Sequence, residues 1–149
     1  MSSDSHSIRF ATTEENYGSA ARRHLHDAQA LLGQGRTDNA AYLAGYVLEC
    51  SLKKLLEMHG YGAREYGHDL QRMSGQALSL AAILSPCAGR YRIDDIDGFA
   101  DAVAFWRPSQ RYFPTGAVVN GERMVALASH VYERILLEAI LDGNGALHP

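Results

Sequence analysis

Thr37-Asp38-Asn39-Ala40-Ala41-Tyr42-Leu43-Ala44-Gly45-Tyr46-Val47-Leu48-Glu49-Cys50-Ser51-Leu52-Lys53-Lys54-Leu55-Leu56 is the stretch that decides the fold. Within it Ala44, Val47, Leu48, Ser51, Leu52, Leu55 and Leu56 recur at the 3.6-residue period of a helix that buries one face. Thr37-Asp38-Asn39 offers capping side chains at its start, and Gly60-Tyr61-Gly62 stops it, which predicts a helix running to about His59. Glu49, Lys53 and Glu57 step by four along the same helix and read as a charged ridge, each pair adding only tenths of a kcal/mol.

Outward from this stretch the same period returns four times. On the N-terminal side, Thr12 and Glu15 have capping-box spacing and predict the opening of a first helix after a flexible tail, residues 1–11. Its stripe is Ala21, Leu25, Ala28 and Leu32, with Gly33 and Gly35 at the end. On the C-terminal side a third helix starts near His68-Asp69 and runs to Leu84, where Pro86 and Gly89 break it. Asp69 reads as its N-cap with His68 in the turn beside it, although the pair is also a candidate for function. A short fourth segment, about Ile96 to Trp106, gathers Phe99, Ala102, Val103 and Trp106 on one face. Arg107 to Val119 is irregular, with Pro108, Pro114 and Gly116. The last helix begins after Asn120 and is expected to end at Asp142-Gly143, leaving residues 144–149 as a short tail. The expectation is a single all-α domain over 12–143: an antiparallel up-and-down bundle of four to five helices.

Composition narrows the function. With 149 residues, 46% hydrophobic and 21% charged, the chain has the makeup of one globular domain rather than a disordered segment. The net charge of −3 is spread evenly, so no basic arm suits a general DNA-coating protein. Twelve of its fourteen cations are arginines, the side chain suited to planar phosphate contacts. Two cysteines, Cys50 and Cys87, make neither a disulfide framework nor a zinc site, and Cys50 reads as a small buried hydrophobe. The polar, acid-containing start lacks the apolar core of a signal peptide, and no run approaches a membrane span. A cytoplasmic protein without a cofactor and without a membrane partner is expected.

The second helix with Glu49-Cys50-Ser51-Leu52-Lys53-Lys54-Leu55-Leu56, a glycine-rich turn, and then Gly67-His68-Asp69-Leu70 opening the third helix together resemble the HEPN family, over about residues 15 to 140. That family's signature, Arg-x(4–6)-His near the last helix, is matched by Arg123-Met124-Val125-Ala126-Leu127-Ala128-Ser129-His130. The match continues as Val131-Tyr132, giving the His-x-Tyr of HEPN toxins that pair with a nucleotidyltransferase antitoxin. The spacing is six rather than that subgroup's four, and Met124 stands where a polar residue is often found. The resemblance implies a helical fold, metal-independent RNA cleavage by Arg123 and His130 in a cleft between two copies, and an antitoxin that AMPylates Tyr132.

Helix geometry supports part of this. His130 lies about 340° around the helix from Arg123, so the two share a face two turns apart, and Arg134 falls on the same face. An imidazole can take the proton of a ribose 2′-hydroxyl while guanidinium groups stabilise charge on the phosphoryl oxygens. The bland alternatives are an Arg123 that rides a solvated helix start and a Tyr132 that fills a core or interface, since it points about 160° away from His130. Arg107 and Arg111, with Trp106, Tyr112 and Phe113, either bind RNA by stacking and phosphate contact or plug the end of the bundle. Glu49 and Lys53 either support the site or form an intrahelical pair. His24 and His26, beside Arg22 and Arg23, read as a solvated face, and no histidine has a carboxylate or thiolate partner at metal-ligand spacing. A homodimeric ribonuclease is therefore expected, with a non-catalytic HEPN module that binds a nucleotide or a partner protein as the alternative.

Overall fold

A computed structural model describes residues 6–83 and 93–137. Its elements are α1 (Tyr17–Gly33), α2 (Thr37–Met58), α3 (Leu70–Ile83), α4 (Phe99–Phe105) and α5 (Gly121–Tyr132). Short 3₁₀ turns occupy Ala63–Tyr66 and Pro108–Tyr112, and α5 runs on through a π turn, Glu133–Leu137. Among the described residues there is no strand, and the fold is an all-α bundle. The expected helix end at Asp142-Gly143, Cys87 and the breakers Pro86 and Gly89 lie outside the described residues.

α2 is the axis of the bundle, in contact with α1, α3 and α5. Thirteen of its 22 residues are buried, too many for the single stripe of a surface helix. Val47, Leu48, Leu52, Leu55 and Leu56 are wholly enclosed, as the periodicity predicts. The expected charged ridge is corrected by the same fact: Glu49 and Lys53 are inside, and only Glu57 faces water.

Two helix starts differ from expectation. α1 opens at Asn16, whose side-chain oxygen accepts from the Ser19 N–H at 3.0 Å, and not at Thr12. Thr12 Oγ1 instead accepts from the Glu14 N–H in a local turn, and Glu15 accepts from the Tyr17 hydroxyl at 2.6 Å. For α2 the N-cap is Arg36 with no side-chain cap, and Asp38 uses its carboxylate to accept the Gly116 N–H at 2.8 Å, pinning the irregular loop. Asp69 does cap α3, accepting from the Arg72 N–H at 3.1 Å.

Two close approaches fix how the elements meet. A Cβ on Gly45 would overlap the Trp106 indole, whose Nε1–H donates to the Tyr42 carbonyl at 3.2 Å. A Cβ on Gly121 would overlap Thr37, so the start of α5 sits directly on the start of α2. At the other end of α5 the π turn lets Ile135 and Leu136 join Val131 in the core. Arg134, half-buried within that turn, no longer follows the α-helical step that would align it with Arg123 and His130.

Candidate functional site

The Arg123–His130 face lies on the solvent side of α5. Val125, Leu127, Ala128 and Val131 carry the packing, while Arg123 and His130 are exposed. Leu127, between the two in sequence, turns into the bundle. Arg123 donates through Nη2 to Asp97 Oδ2 at 2.8 Å, an exposed pair that salt and water weaken. Arg123 also borders a cleft of about 390 Å³ shared by α4, α5 and the irregular loop, with Asp101, Phe105, Phe113, Val119 and Met124. His130 is not part of that lining. Tyr132 is half-buried against the core, and burial pushes its hydroxyl pKa up.

The arginine–aromatic cluster divides. Trp106 is a core side chain, wedged against Gly45 and edge-on to Tyr46 with ring centroids 4.9 Å apart. Arg107 Nη1 donates to the Trp106 carbonyl at 2.6 Å, at the C-terminal end of α4 where orphan carbonyls need donors. Phe113 lines the cleft. Arg111 stays at the surface, its guanidinium 4.9 Å from the centre of the exposed Tyr112 ring. Tyr112 first, and then Tyr42, accept from the guanidinium and hold its pKa above the ordinary range.

A second cluster was only partly visible in the sequence. Glu49 is buried with both oxygens occupied: Oε2 accepts from Lys53 Nζ at 3.3 Å, and Oε1 lies 2.6 Å from His68 Nδ1. Lys53 is in turn 5.4 Å above the Tyr17 ring. Tyr46 links the surroundings, with His68 edge-on at 6.0 Å, His24 tilted at 5.7 Å and the Tyr42 hydroxyl 3.1 Å from its own. Burial raises the Tyr46 hydroxyl pKa, and the Tyr42 hydrogen bond adds to it. His24 is half-buried against Tyr46, which corrects its reading as part of a solvated face, while Arg22, Arg23 and His26 are exposed. Burial lowers the His24 pKa, as does Arg23. The cue for this cluster was an ionisable residue inside the apolar run Val47–Leu52. Its partner, 19 positions away in a turn, is set by tertiary packing alone.

Among the described residues no three His, Cys, Asp or Glu side chains converge as metal ligands. None of the helices is long and apolar enough to cross a membrane, among the same residues. Comparison with known proteins finds no matching family model, no matching curated protein and no matching solved structure.

Proposed function

We propose that this chain is a HEPN-type, metal-independent endoribonuclease that uses Arg123 and His130 in a cleft completed by a second copy. The observation that supports it is the exposure of both side chains on α5 while their neighbours Val125, Leu127 and Val131 do the packing. A histidine free of packing is available to take a proton, and a guanidinium on the same solvent side of α5 can stabilise a phosphorane-like charge. Pairing of two α5 faces would concentrate positive potential on an otherwise acidic chain. In the toxin reading a nucleotidyltransferase-type antitoxin would modify Tyr132. The half-buried setting of Tyr132 favours its role as a core or interface side chain instead.

A second reading, a non-catalytic module that binds a nucleotide or a partner protein, is favoured by one observation: the cleft beside Arg123 does not include His130. The discriminating experiment is cleavage of a mixed RNA pool in EDTA. The ribonuclease reading expects cleavage by the wild type and a loss on the order of 10²-fold in Arg123→Ala. Cleavage that EDTA abolishes and Mg²⁺ restores would overturn it. Light scattering should give about twice 16.3 kDa, and a clean monomer would sink the shared cleft.

A further inference from the structure

His68 is held in a way that packing does not require. Its side chain remains 55% exposed, yet its Nδ1 is anchored at 2.6 Å on a carboxylate that is itself only 6% exposed. Glu49 already has Lys53 as a charge partner on its own helix, so His68 is not needed to neutralise it. A carboxylate accepting from Nδ1–H fixes the tautomer whose Nε2 is an acceptor, and Nε2 has no other partner among the described residues. This is the arrangement by which a buried acid orients a general base.

The surface next to it suits a nucleotide. The Tyr42 and Tyr46 hydroxyls lie 3.1 Å apart, and both rings pack on the Trp106 side of the cluster. Arg111 sits beside Tyr42 and presents an exposed guanidinium, the shape that matches phosphate oxygens. Tyr112, 76% exposed under Arg111, offers a ring face on which a base can stack. Arg23, next to His24, adds a further positive charge on the α1 side. Elements far apart in sequence thus bring together an oriented imidazole, a hydrogen-bonded hydroxyl pair, a guanidinium and an aromatic platform.

We propose that Glu49 and His68, with Tyr42, Tyr46, Arg111 and Tyr112, form a nucleotide-binding site in which His68 Nε2 accepts the hydrogen bond of a ribose 2′-hydroxyl. The proposal takes its substrate class from the RNA reading above but needs neither Arg123 nor His130. Glu49 is a positioning residue, acting only through His68.

The test combines imidazole NMR of the full chain, titrated with uridine 3′-monophosphate, with cleavage of single-stranded RNA. The His68 resonances should shift on titration, in the wild type and equally in His130→Ala. Arg111→Ala should weaken the affinity about tenfold, the effect of one lost charged hydrogen bond. His68→Gln retains a donor toward Glu49 at an exposed position and should weaken the affinity about tenfold without changing the melt. Glu49→Gln combined with Lys53→Met leaves no buried ammonium and should shift the His68 ¹⁵N signals toward mixed tautomers, which a packing role would not do. The proposal is overturned if uridine 3′-monophosphate leaves His68 unmoved, or if His68→Gln binds it as tightly as the wild type. Uncut RNA together with an Arg111-dependent His68 shift overturns the ribonuclease reading alone and supports the nucleotide site.

Discussion

His68 and His130 are both exposed imidazoles on the same bundle, and they are held in opposite ways. His130 rides the outer face of α5, where one element supplies its position and, among the described residues, no hydrogen bond fixes its ring. His68 comes from a turn and is fixed by a carboxylate buried in α2, which Lys53 and Tyr17 in turn support. A helix period can align two side chains, but only tertiary packing can orient one of them. The region around His68 is therefore coupled to the core, whereas the Arg123–His130 face is separable from it.

That contrast is broken or sharpened first by stability. Glu49→Ala leaves the Lys53 ammonium buried beside no carboxylate and should cost about 3–5 kcal/mol. His130→Ala should stay within about 0.5 kcal/mol of the wild type, as for other exposed substitutions. Denaturant melts of the two variants side by side check both values, and equal melts would erase the distinction. Gly45→Ala comes next, because its Cβ meets the Trp106 indole that separates the cleft from the tyrosine pair. It should cost about 1–3 kcal/mol and alter the emission of the single tryptophan.

Chemical protection gives a smaller and more local effect. Burial, with Glu49 next, pushes the Cys50 thiol up to about 12. Little thiolate is then present at pH 8, so a disulfide reagent should modify Cys50 only as fast as the chain opens. Rapid labelling of Cys50 in the native protein, read by mass spectrometry, would show that the α2 core is looser than described. The smallest effect is that of His24, whose folded pKa is lowered by burial first and by Arg23 second. The unfolded chain then binds its proton more readily, so this contribution to stability is present above the ordinary histidine range and fades as pH falls through and below it. His24→Asn should flatten that part of the pH–stability curve, and an unchanged slope would place His24 in water.

How much of this was legible in the sequence depends on the range over which each feature is determined. The apolar period of α2, the Asp69 cap, the buried Cys50 and the Phe99–Trp106 face are local patterns, and the structure has them. The start of α1 was misplaced because Thr12 and Asn16 are both acceptable caps, and Tyr17 draws Glu15 away from the box. The burial of Glu49 and Lys53 is not legible because a charge at helical spacing looks the same on a surface helix and on a central one. Arg134 was aligned with His130 on the assumption of an unbroken α-helix, which the π turn ends. The Glu49–His68 contact joins residues 19 apart across a turn, and no period in the sequence encodes it.

The most direct measurement is RNA cleavage by His130→Ala, scored beside its circular dichroism melt. With His130 as the general base, the variant melts as the wild type does and has lost cleavage, because His130 contributes chemistry and no packing. A variant that cuts RNA as well as the wild type would contradict it, and so would one that loses activity only by unfolding.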